Sequence, residues 1–155
     1  MWYNKVVKDL SNVSDAIEFF NGELLVARTE VSLTGGIEYA SSSLPGHMEY
    51  RFSQLQEIEA ILEYLNIALR RERAQTLRKF MEHYNREMSS REAEKWVDGE
   101  DDIVTMSELI NEVALVRNKY LGIIKSLEIK AFQINNITKL KVVGLDDAEI
   151  GFTKR

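Results

Sequence analysis

Between residues 50 and 88 the apolar positions of this chain keep a helical rhythm. Leu55, Ile58, Leu62, Leu65 and Leu69 follow one another at spacings of three, four, three and four. The stretch has no Pro, no Gly and few β-branched residues, so nothing interrupts an amphipathic helix whose apolar seam packs on other helices. At about 1.5 Å per residue such a helix spans roughly 55–60 Å. A compact domain of this chain length measures only about 30 Å across. A helix longer than its own domain implies a long partner helix, other subunits, or both.

A second seam runs through Leu109, Val113, Val116, Tyr120, Ile123 and Leu127 and continues by Phe132, Ile134 and Ile137 to about Leu140. Thr105 and Glu108 have the spacing of a capping box at its start, and Gly122 interrupts it. Ser89 and Glu92 repeat that cap spacing and predict a short helix, REAEKW, before the acidic loop VDGEDD at 97–102. Two matched seams on consecutive helices predict an antiparallel αα-hairpin.

The N-terminal part has a different texture. Trp2, Val6 and Leu10, then Ile17, Phe19 and Phe20 after a cap at Ser14, form a weak helical pattern, and Asn21-Gly22 reads as a turn or helix stop. From Glu23, Leu25, Ala27, Thr29, Val31 and Leu33 alternate with polar residues. Ile37 and Tyr39 do so again beyond Gly35-Gly36. Period-two runs around a glycine turn predict a β-hairpin; a helix over 16–33 ending at the glycines is the competing reading. SSSLPG at 41–46 reads as a linker, with Pro45 holding a turn. The expected fold is therefore mainly α: a long antiparallel helical hairpin (47–141) with a small N-terminal β-hairpin or extended region (1–46) and a frayed tail (142–155), all one domain of 1–155.

Composition narrows the function. Of 155 residues, 45% are apolar and 29% charged, an ordinary globular balance. No apolar run nears the roughly 20 residues that span a bilayer, and MWYNKVVKDLSNVSDAIEFF lacks the apolar core of a signal peptide. A cytoplasmic protein is expected, in the host cell cytoplasm if viral. The absence of Cys removes thiolate metal sites and cysteine nucleophiles. His47 and His83 lack metal-ligand spacing, the acidic loop lacks the order of a calcium loop, and Gly35-Gly36 is no phosphate-binding loop. The serines at 41–43 have no accompanying base. No enzyme, metal or cofactor is expected.

Charge is segregated. The chain carries a net −5, yet between residues 70 and 86 six basic residues, Arg70, Arg71, Arg73, Arg78, Lys79 and Arg86, stand against Glu72 and Glu82, a local +4. On a helical wheel Arg71, Arg78, Lys79 and Arg86 fall within about 100° of arc, away from the apolar side. A row of guanidiniums over some four turns suits the tracking of phosphates. Tyr84 and Phe80 lie nearer the seam, as core positions. A second basic group, Lys125, Lys130, Lys139 and Lys141, lies toward the end of the second helix.

The succession YLNIALRRERAQTLRKFMEHYN, an acid-rich linker, a long helix and LEIKAFQINNITKL resembles the UvsY recombination mediators of T4-like bacteriophages over residues 45–141. Leu77, Arg78 and Tyr84 match that family's basic-aromatic segment, and Phe132 and Ile134 its near-terminal stretch. Lys130-Ala131 stands in place of arginine-glycine, Asn135 in place of a lysine, and Phe80 in place of a second basic residue. The resemblance implies a non-catalytic homo-oligomer that binds single-stranded DNA. It further implies help in loading a RecA-like recombinase against single-strand-binding protein, in recombination and repair. Candidate nucleic-acid contacts are Arg70, Arg71, Arg73, Arg78, Lys79, Arg86, Lys125 and Lys130. The alternative is a helical interaction module, an adaptor or inhibitor that binds protein and no nucleic acid.

Overall fold

The computed structural model describes residues 1–33, 35–83 and 89–144, and in them the backbone is helical almost throughout. Five helices follow in order: α1 (Trp2–Lys8), α2 (Asn12–Val31), α3 (Ile37–His83), α4 (Ser90–Asp98) and α5 (Asp101–Val142). No strand occurs among the described residues. None of these helices is long and apolar enough to cross a membrane.

The expected β-hairpin at 23–40 is thus replaced by helix, and the competing reading of 16–33 is close to what forms. Two periodicities overlap in this segment, and the helical one prevails. Phe20, Leu24 and Ala27 are buried and Val31 half-buried, at spacings of four, three and four. Leu25, which the alternation required to face a core, is 64% exposed. Asn21-Gly22 neither turns nor stops α2. The turn comes later, where Gly35 adopts φ +79°, a left-handed conformation that glycine takes without steric penalty.

The linker expected at 41–46 lies instead inside α3, which runs through Pro45 for 47 residues. Proline in a helix interior removes one backbone donor and costs about 3 kcal/mol. Here Pro45, Ser41 and Ser42 are exposed, so the unpaired carbonyl one turn back faces water. On the opposite side Ala40 and Leu44 are buried with Leu127 and Ile134 of α5, and Met48 packs against them. Tertiary packing of that face outweighs the local propensity.

The chain divides into two compact units, one of Met1–Ile17 with Glu57–Leu115 and one of Glu18–Gln56 with Val116–Arg155. In the first, Val6, Val13, Ala16, Ile58, Ile61, Leu65, Ala93, Val97, Ile103 and Val113 form the buried apolar set. The Tyr3 amide donates to Glu57 Oε1 at 2.9 Å and the Tyr64 hydroxyl to the Val7 carbonyl at 3.2 Å, tying α1 to α3. The expected cap of α4 is present in full: the Glu92 amide donates to Ser89 Oγ and the Ser89 amide to Glu92 Oε2. In the second unit the apolar core is Phe20, Leu24, Ala27, Ala40, Leu44, Leu55, Val116, Tyr120, Leu127 and Ile134. Most expected seam positions are buried: Leu55, Ile58 and Leu65 on α3, and Val113, Val116, Tyr120 and Leu127 on α5. Phe132, placed on the seam by the sequence, is 70% exposed.

Candidate nucleic-acid interface and a buried ionic layer

In the first unit, α3 carries Arg70, Arg71, Arg73, Arg78 and Lys79, and all five are exposed. Seven residues separate Arg71 from Arg78, so they share one face two turns apart. Neither has an ion-pair or hydrogen-bond partner among the described residues. Arg70 pairs with Glu63 (Nη2 to Oε1, 3.0 Å), with both side chains about two-thirds exposed. Arg73 pairs with Asp98 of α4 (Nη2 to Oδ1, 2.7 Å). Exposed pairs of this kind are worth about 0–1 kcal/mol, so a phosphate can replace either carboxylate at little cost. Arg86 and Tyr84 lie outside the described residues. Beside Arg73 is an open pocket of about 180 Å³, lined also by Ala74, Leu77, Glu94 and Val97, smaller than the 300 Å³ or more usual for a small-molecule site. No group of three or more His, Asp or Glu able to hold a metal occurs among the described residues.

The lysines of the second basic group differ in exposure. Lys125 is exposed on α5. Lys130 is not a surface cation at all; it is 4% exposed. Its Nζ donates to the Glu30 carbonyl at 2.7 Å and the Ser32 carbonyl at 3.0 Å. It therefore caps the C-terminus of α2, where backbone carbonyls and the helix dipole favour a cation. Lys130, expected among the nucleic-acid contacts, is thus buried and engaged with these two backbone carbonyls. Burial pushes its ammonium below the usual lysine range, and the Glu30 carboxylate opposes that shift.

Lys130 belongs to a polar layer within the second unit that apolar periodicity did not disclose. At its centre Arg51 is 1% exposed. Arg51 donates from Nε and Nη2 to the two oxygens of Glu30 (2.8 and 2.6 Å). Its Nη1 donates to Glu23 Oε2 (2.7 Å) and to Gln54 Oε1 (2.8 Å). Glu23 Oε2 also accepts from Gln54 Nε2 (3.0 Å) and the Tyr50 hydroxyl (3.2 Å). Glu23 and Glu30 are seven residues apart on α2, hence on one face. Two carboxylates face two cations, and the layer is neutral. Hydrogen bonds donated to Glu30, working against burial, and to Glu23 hold the guanidinium firmly charged. Nearby, the buried Tyr120 hydroxyl donates to the Phe20 carbonyl at 3.2 Å, and burial raises its pKa.

A signal for this layer does exist in the chain. Leu44, Met48, Arg51, Leu55 and Ile58 keep four-three spacing, and so do Tyr120, Ile123, Leu127, Lys130 and Ile134. Both cations occupy seam positions, where a polar residue fixes register between helices.

The layer makes the second unit acid-sensitive. Glu23 is held below the usual carboxylate range, first by the Gln54 hydrogen bond, against desolvation, and then by Arg51 and Tyr50. A depressed folded-state pKa contributes stability that is complete above the unfolded value of about 4.3 and is lost as pH falls through the lower folded value. The urea midpoint of the wild type should therefore fall more steeply below about pH 4.3 than that of Glu23→Gln. Parallel midpoint-against-pH curves for the two proteins would exclude Glu23 as the source.

Comparison with protein families, with curated proteins and with solved structures finds no match for this chain.

Proposed function

We propose that this protein is a non-catalytic, self-associating helical protein that binds single-stranded DNA along the basic face of α3. The observation that carries the proposal is the pair Arg71 and Arg78, exposed on one face and partnerless among the described residues. Arg70, Arg73 and Lys79 are exposed on the same stretch. Repeating such a patch in an oligomer raises effective concentration, so modest contacts per subunit sum to useful affinity. In the fuller form of the proposal, α3 and α5 are the arms of a helical hairpin. The protein then acts like the UvsY mediators it resembles, with a RecA-like recombinase and single-strand-binding protein as partners.

Fluorescence anisotropy with a labelled oligonucleotide tests the DNA contact. Arg71→Ala with Arg78→Ala is expected to weaken binding and to flatten the log–log salt slope by about 1.4, two phosphate contacts at about 0.7 each. Far-UV circular dichroism should be unchanged, because both side chains are exposed. Equal affinity and slope in wild type and variant would place the contact elsewhere. The second reading, a helical module that binds another protein, draws on exposed apolar side chains such as Leu25, Val26 and Phe52. It predicts no oligonucleotide binding even at low salt.

A further inference from the structure

Within the second unit α5 has a second stripe that is exposed among the described residues. With Lys125 as origin and about 100° per residue, Leu121, Gly122, Ile129, Phe132 and Leu140 fall between about −40° and +60°, an arc they share with Asn118, Asn136 and Lys139. The buried positions Val116, Tyr120, Leu127, Lys130 and Ile134 cluster around 180°. All five of these stripe residues are exposed, Phe132 by 70% and Ile129 by 50%. An apolar stripe opposite an already filled seam needs a second partner.

Gly122 points to what that partner is. It lies in the interior of a 42-residue helix, where glycine is unfavourable. A Cβ built on it meets nothing within 4 Å, so no contact among the described residues accounts for the missing side chain. Small residues on a helix face let another helix, or a large side chain from one, come close. The stripe supplies such a side chain ten residues away, in Phe132.

We propose that α5 pairs antiparallel with α5 of a second copy, with Phe132 of each seated over Gly122 of the other. This rests on the self-association in the reading above and assigns its surface. The register is self-complementary, as a two-fold interface requires. Setting 122 opposite 132 also sets Asn118 opposite Asn136, whose exposed amides can hydrogen-bond. It sets Lys125 opposite Ile129 and within reach of Glu128 of the second copy, which puts this stretch's acid beside a lysine. Antiparallel helix dipoles favour the same orientation. Lys125 is then an interface residue and makes no DNA contact.

The test uses the full chain, in sedimentation velocity and in oxidative cross-linking. Because the chain has no cysteine, a mixture of Gly122→Cys and Phe132→Cys proteins reports the register directly. The mixture should give a disulfide-linked dimer, while either variant alone should not, since its two thiols would lie about 15 Å apart along the pair. Phe132→Glu should shift the wild-type mass to a smaller species with helicity retained. Cross-linking of either single variant as efficient as that of the mixture overturns the register. An unchanged oligomer for Phe132→Glu overturns this surface but leaves self-association intact. A monomeric wild type overturns both. Loss of oligonucleotide binding by Phe132→Glu without a change in mass would make the stripe a nucleic-acid contact and overturn the pairing.

Discussion

Replacing Arg51 by alanine is expected to lower the unfolding free energy by about 3–5 kcal/mol, the usual cost of removing one partner from a buried ion pair. The cost comes from what is left behind. The Glu23 and Glu30 side chains, 24% and 13% exposed, would face each other's charge with no cation between them, and Gln54 would lose a donor. Urea unfolding followed by circular dichroism measures the change. A triple replacement, Arg51→Met with Glu23→Leu and Glu30→Leu, removes the charges together and should recover most of the loss, since apolar groups of similar volume often replace buried pairs at no net cost. If Arg51→Ala costs under about 1 kcal/mol, the layer is no stronger than a surface pair.

Lys130→Met has the second-largest expected effect, a loss of about 2–3 kcal/mol. Methionine keeps most of the stem's volume, so the change isolates the ammonium. Without it the carbonyls of Glu30 and Ser32 lose their charged donor, and the layer acquires an unbalanced negative charge. Hydrogen exchange should quicken at the last turn of α2, whose C-terminus Lys130 caps. The salt slope of oligonucleotide binding should stay the same, because the ammonium is buried. A flattened slope at undiminished stability would return Lys130 to the phosphate contacts.

These two residues show how far local pattern reaches in this chain. Arg51 and Lys130 sit at seam positions where apolar residues are expected; Arg51 is 21 and 28 residues from Glu30 and Glu23 in sequence, and Lys130 is 100 residues from the Glu30 carbonyl. Nothing in a linear spacing says that α2 brings its carboxylates to those positions. The basic face was easier to read. Arg71, Arg78 and Lys79 lie on one side of a helical stretch, away from the seam, so their common exposure follows from periodicity, whereas Arg73 falls at about 200° from Arg71, on the seam side, and is nevertheless exposed. For the segment 23–40, period two and period 3.6 were both present, and the choice depended on whether Leu24 or Leu25 found a core.

Sequence by itself determined the helical class, the two long seams, the Ser89 capping box, the lack of cysteine and the segregation of charge. Each of these depends on residues within a few turns of one another. Tertiary structure alone decided the helical state of 23–31, the passage of α3 through Pro45, the burial of Arg51 and Lys130, and the exposure of Phe132. In each case a local preference worth one to a few kcal/mol met packing or desolvation against another helix, and the contacts distant in sequence were stronger.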